Sequence, residues 1–154
     1  GPLATGDGVN TALQLQVQAR RDALAPTQQQ LTGFLVAHGI GGRTLYACEL
    51  VLEEILTNIQ NHAYDDAAGH VIDLRVTLES RGVTLDFVDD GRPFDPLQQP
   101  EPAPAGSIET ASAGGRGLML VRRHAQSVEH ERRDGRNHLR VKVSRAGGGM
   151  DPPA

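Results

Sequence analysis

Leu52-Glu53-Glu54-Ile55-Leu56-Thr57-Asn58-Ile59-Gln60-Asn61-His62-Ala63-Tyr64 is the stretch on which the reading of this chain turns. Glu54, Asn58 and His62 recur at four-residue steps, so on a helix they stack along one side and project into one groove. On the opposite side Leu45, Cys48, Leu52, Ile55, Ile59 and Ala63 recur at three- and four-residue steps, the mark of a buried stripe. The spacing predicts an amphipathic helix from Thr44 to Tyr64, with the polar row on its wet face. A polar row backed by an apolar one is how a rigid helix holds a metal ligand and a base over a pocket. Taken alone, the same row equally describes a merely solvated face.

Working outward, Leu13, Leu15 and Val17 alternate with glutamines, as in a half-buried strand. A helix follows from Ala25 to Ala37, with Leu31, Phe34 and Leu35 inward and His38-Gly39 ending it. After the polar-row helix come strands at His70–Glu79 and Val83–Val88, joined by Ser80-Arg81-Gly82. Val71, Leu74, Val76 and Leu78 pattern the first of these imperfectly by period two. The second runs into Asp89-Asp90-Gly91.

From Arg92 to Gly115 five prolines and few large apolar residues predict a long irregular loop, of the length that functional lids have. A short helix over Gly117–Ala125 uses Leu118, Leu120 and Val121. Strands at Ser127–Arg132 and Asn137–Ser144 flank an Asp134-Gly135 turn. This order is an α+β layer with helices on one sheet face. Residues 1–10 are expected to be a tag remnant or a disordered N-terminus, 11–145 the folded domain and 146–154 a flexible tail.

Composition narrows the function. The 154 residues fit one domain; only 38% are hydrophobic, with three Phe, two Tyr and no Trp, so branched aliphatics must build the core. A formal net charge of −4 argues against a global attraction to nucleic acid or anionic membrane. No apolar run approaches the ~20 residues of a membrane span. The single cysteine, Cys48, excludes an internal disulfide and fits a reducing, cytoplasmic compartment.

Two further clusters carry chemistry. Asp89 at a strand end can accept from a base edge, while Gly91 lets a planar ring come close. Gly115-Arg116-Gly117-Leu118 precedes a helix, where backbone N–H groups and the helix dipole favour an anion such as phosphate. Each signal is common by itself; in this order and spacing they reinforce one another.

Together E-x-x-x-N-x-x-x-H, D-x-G and G-x-G-L resemble the N, G1 and G2 boxes of the GHKL ATPases, the superfamily of gyrase, the ninety-kilodalton heat-shock chaperone, histidine kinases and MutL. Within it the chain resembles the RsbW-type anti-sigma-factor serine kinases, over nearly all of residues 11–144. The resemblance implies a Bergerat-type two-layer sandwich: a mixed, mostly antiparallel sheet covered on one face by about three helices, with a long ATP lid. It implies ATP and Mg²⁺ as cofactors, Asn58 as the Mg²⁺ ligand and Glu54 as the general base. It further implies Asp89 as acceptor for the adenine amino group and Gly91 as the close-approach position. Gly115 and Gly117, with Leu118, would line the phosphates, and His62 and Arg116 would meet them. Arg92 to Gly114 would be the lid. Many relatives carry a Thr on the last strand that supports the adenine pocket. Here that strand reads Asn137-His138-Leu139-Arg140-Val141-Lys142-Val143, so the water-mediated part of adenine recognition is expected to differ.

The residues ahead of Thr44 are too few for a phosphoacceptor helix pair, so the acceptor is expected on another protein. The resemblance then implies a serine/threonine kinase that phosphorylates a STAS-type anti-anti-sigma protein and otherwise sequesters a sigma factor, acting as a homodimer. The alternative is a nucleotide-dependent regulator-binding module with little or no kinase activity.

Overall fold

In the computed structural model, residues 11–62, 69–93 and 116–145 are described. They form β1 (Thr11–Gln18), a short 3-10 turn (Arg21–Ala23), α1 (Leu24–Ala37), α2 (Gly42–His62), β2 (Val71–Glu79), β3 (Gly82–Asp89), α3 (Arg116–His124), β4 (Ser127–Arg133) and β5 (Arg136–Ser144). The five strands make one sheet in the order β1-β2-β3-β5-β4, and each of these pairings is antiparallel. The predicted N-terminal segment, the Ala63-Tyr64 end of the polar-row helix, the lid from Phe94 to Gly114 and the tail lie outside the described residues.

Strand alternation decides which face is covered. Ile72, Leu74, Val76 and Leu78 of β2, Val83, Leu85 and Phe87 of β3, and Leu139, Val141 and Val143 of β5 are buried on one side. Their neighbours Arg75, Asp86, Arg140 and Lys142 form a polar opposite side, crossed by an Arg140–Asp86 ion pair at 2.7 Å and an Arg136–Asp73 pair at 3.5 Å. The phase of β2 differs from the sequence reading by one residue at its start: Ile72 points inward and Val71 does not. From Ile72 onward the alternation is strict.

Helices α1 and α2 close the apolar side, α3 packs against α2, and Leu31, Leu35, Cys48, Val51, Leu52, Ile55, Leu56 and Val121 complete the core. Cys48 is wholly buried, which pushes its thiol up to about 12. The turn from α1 into α2 rests on Gly39, whose φ of +83° few side chains tolerate. There the amide of Gly39 donates to the carbonyl of Val36 (3.0 Å) and that of Ile40 to the carbonyl of Leu35 (2.9 Å). This is the six-to-one, five-to-two pattern of a Schellman cap, and it drops Ile40 into the core.

The sheet is drawn tight at Gly82, where a Cβ would stand 2.7 Å from the carbonyl oxygen of Val143 on β5. Since the obstacle is backbone, neither strand can yield without losing ladder bonds. Gly82→Ala is expected to cost about 1–3 kcal/mol in urea unfolding. An unchanged midpoint would contradict the close β3–β5 approach.

Candidate functional site

The β3–β5 register places Asp89, the last residue of β3, directly opposite Asn137 near the start of β5. Both side chains lie on the helix-covered side and are buried, at 4% exposure each. A carboxylate so placed needs donors close by. Oδ1 of Asp89 accepts from the Gly91 amide at 2.9 Å, closing an Asx turn, and from Nδ2 of Asn137 at 3.0 Å. The same Nδ2 donates to the Arg92 carbonyl at 2.8 Å. Arg132, facing Asn137 across the β4–β5 hairpin, donates through Nη1 to Oδ1 of Asn137 (3.1 Å) and to the Gly91 carbonyl (2.8 Å).

Opposite this strand end stands α2. Ile55, Asn58 and Ile59 from the helix, with Asp89, His130, Asn137 and Leu139 from the sheet, line a narrow cleft. Its walls are largely aliphatic, with a carboxylate and two carboxamides set into them. That combination suits a flat, partly apolar ring carrying a hydrogen-bond donor. A wider hollow on the outer sheet face, lined by Asp86, Glu129, Glu131, Arg133, His138 and Arg140, is open and crossed by exposed ion pairs. Such pairs are solvated and weak, so the narrow cleft is the better binding site.

Asn58 corrects the expectation of a wet face. It is 3% exposed, because α2 is flanked by α1, α3 and the sheet, and its buried arc takes in Thr44, Ala47, Val51, Leu56 and Asn58 besides the apolar stripe. Nδ2 of Asn58 donates to the Glu54 carbonyl at 2.8 Å. Since a carbonyl can only accept, that bond fixes which end of the carboxamide is nitrogen. The other end, Oδ1, is buried without a donor among the described residues. An orphaned carboxamide oxygen beside a cleft is an unusual cost, and it fits a hard cation, which takes neutral oxygen ligands. Among the described residues no group of three or more His, Cys, Asp or Glu stands ready to hold a metal without a ligand's help. Magnesium held through few protein oxygens and a nucleotide's phosphates would suit this donor set.

Glu54, one turn earlier, is half-buried. Burial, with a smaller push from neighbouring Glu53, holds its carboxyl above the usual range. His62 is the last residue of α2, and Arg116, Gly117 and Leu118 open α3. Gly115 lies outside the described residues. The structure thus brings Asn58 and Asp89 to one cleft, with Gly91 bonded to Asp89 and Glu54 a turn away from Asn58 on the same helix. It also adds Asn137, Arg132 and His130, which the motif reading had not placed in the site. Asn137 was visible only as the first residue of the last strand, on which many relatives carry a Thr. Counting back from the Asp134-Gly135 turn pairs it with Arg132, but its meeting with Asp89 needs the β3–β5 register.

A two-layer α+β domain with this cleft defines a nucleotide-binding class, and comparison with known proteins makes it specific. Residues 17–143 match the histidine kinase-like ATPase domain, and the chain belongs to that family. The serine/threonine-protein kinase BtrW of Bordetella bronchiseptica is 37% identical over 99 residues, covering 63% of this chain and 68% of BtrW. The crystal structure of the RsbU and RsbW domains of a Mycobacterium tuberculosis protein superposes with a TM-score of 0.60 at 14% identity. That likeness of fold covers 87% of this chain, which spans only 33% of the mycobacterial one.

The raised carboxyl of Glu54 has a measurable sign. A group that binds its proton more tightly when folded opposes folding once ionised. Its cost is absent below the unfolded carboxyl range, grows as pH rises to the folded value and is then constant. Glu54→Gln is therefore expected to shift the urea midpoint upward relative to the parent at about pH 7.5 and to converge with it near pH 3.5. A Gln variant less stable than the parent at neutral pH would contradict the burial of this carboxylate.

Proposed function

We propose that this protein is an ATP-dependent serine/threonine protein kinase of the partner-switching kind, with residues 11–145 as its kinase domain. The observation that carries the reading is the pairing, one helical turn apart, of a buried, donor-less Asn58 Oδ1 with a carboxylate whose proton affinity is raised. The kinase activity of BtrW, a relative over two thirds of its length, supports it.

In this reading the base lies between Ile55, Ile59 and Leu139, its amino group donating to Asp89, with Gly91 giving room for the ring. Asn58 Oδ1 would hold Mg²⁺, which when bound neutralises charge on the phosphates. Gly115, with Arg116, Gly117 and Leu118 of α3 and His62 at the end of α2, would attend the phosphates. Glu54 receives the proton of the acceptor hydroxyl as that oxygen bonds to the γ-phosphorus and the bond from phosphorus to the ADP oxygen breaks. A carboxylate with raised proton affinity is the stronger base for that step. The acceptor is a serine or threonine of a STAS-type anti-anti-sigma protein; in its absence the kinase, as a homodimer in the cytoplasm, holds a sigma factor. Among the described residues no helix is long and apolar enough to cross a membrane.

Incubated with Mg-ATP and a STAS-type acceptor, the protein is expected to transfer the γ-phosphate. Glu54→Gln should slow transfer on the order of 10²–10⁴-fold while nucleotide binding persists. Retained binding with no transfer by the parent protein would leave a regulator-binding module in place of a kinase. For the metal, calorimetry with ADP should show Mg²⁺ tightening binding in the parent and not in Asn58→Ala. An equal Mg²⁺ dependence in both would remove Asn58 from the metal site.

A further inference from the structure

We infer that Arg132 and Asn137 are a positioning pair that selects the nucleobase: they occupy one oxygen of Asp89 and so present the other, as a bare acceptor, to an amino-bearing purine edge. The inference deepens the nucleotide reading above and rests on it. Its ground is a chain of contacts in which no group has a choice of partner.

Nδ2 of Asn137 sits between two pure acceptors, Oδ1 of Asp89 at 3.0 Å and the Arg92 carbonyl at 2.8 Å. Its Oδ1 faces a pure donor, Nη1 of Arg132, at 3.1 Å. Turning the carboxamide over would set oxygen against two oxygens and nitrogen against a cation, so a single orientation survives. Both hydrogens of Nδ2 are thereby committed. Asn137 has none left for a base, although its side chain lines the cleft. It acts through Asp89 and not on the ligand.

The effect on Asp89 is specific. Oδ1 takes two donors, from Asn137 and from the Gly91 amide, while Oδ2 accepts from no described residue. The guanidinium of Arg132 polarises the Asn137 amide toward Asp89 without touching the carboxylate itself. The second bond of Nη1, to the Gly91 carbonyl at 2.8 Å, pins the bend that carries Asp89. The result is one carboxylate oxygen left open to accept from a ligand in the cleft. A 6-aminopurine offers it a hydrogen; a 6-oxopurine brings a second oxygen against it, and a buried site built for one rejects the other strongly.

Titration calorimetry of the whole chain with Mg-ADP and Mg-IDP tests this. The parent is expected to prefer ADP. Asn137→Leu removes both bonds to the Asp89 bend, and Arg132→Met removes the charge from an exposed edge-strand position where folding should not depend on it. Each is expected to narrow the ADP-to-IDP affinity ratio roughly tenfold, the scale of a lost hydrogen bond to a charged group. The double variant should narrow it by less than the product of the two single effects, because part of the action of Arg132 passes through Asn137. If Asn137→Leu does not fold, Arg132→Met carries the same expectation. A parent that binds neither nucleotide overturns the nucleotide reading. A parent that binds both alike, variants that keep the ratio, or effects that multiply in the double variant overturn the positioning pair and leave nucleotide binding standing.

Discussion

A carboxylate buried at the end of a central strand sets the terms for everything around it. Asp89 is 4% exposed, and an ion so placed costs several kcal/mol unless donors meet it. Those donors come from three places in the chain: the bend after β3, the start of β5 and, one bond removed, the edge strand β4. In the sheet β5 lies between β3 and β4, although α3 separates β3 from that hairpin in the chain. Only that order puts Asn137 beside Asp89 and Arg132 beside Asn137. The same contacts hold the backbone at Gly91 and Arg92, so one charge organises both the base end of the cleft and the point where the chain leaves β3.

Helix α2 imposes the complementary constraint. It is packed by α1, α3 and the sheet, which makes it rigid, yet it carries an unsatisfied Asn58 oxygen and a Glu54 carboxyl pushed toward its neutral form. Neither feature stabilises the fold. Both are tolerated because the aliphatic side of the helix, from Cys48 through Ile59, is fully engaged with the core. Stability supplied on one side of the helix sustains strain in polar satisfaction on the other, the usual signature of a binding site.

Local pattern carried most of the architecture. Alternation in Leu13-Gln14-Leu15-Gln16-Val17, the Asp134-Gly135 turn and the three-and-four spacing of α2 each report a single element, and each element lies within a few residues of where its pattern places it. The depth of Asn58 was hidden because helical spacing gives the direction of a side chain and not what covers it; the sheet residues that share its cleft, Asp89, His130, Asn137 and Leu139, are distant in sequence. Asn137 was hidden for a related reason. Its sequence position puts it at the start of the last strand, but only pairing with β3 sets it opposite Asp89. Arg132 resembled another charge on an exposed edge. Its meaning lies in two carbonyl-type oxygens that only the folded hairpin brings within reach.

The thiol of Cys48 has a use of its own. It is wholly enclosed on the apolar side of α2, with its ionisation pushed up to about 12, and it is the chain's only cysteine. A thiol reagent attacks the thiolate and must wait until α2 parts from the sheet. The rate of alkylation at Cys48 therefore clocks the opening of the very helix that bears Glu54 and Asn58. Any ligand clasped between that helix and the sheet slows the clock in proportion to how firmly it is held. The molecule thus contains its own gauge of occupancy, without a label being added.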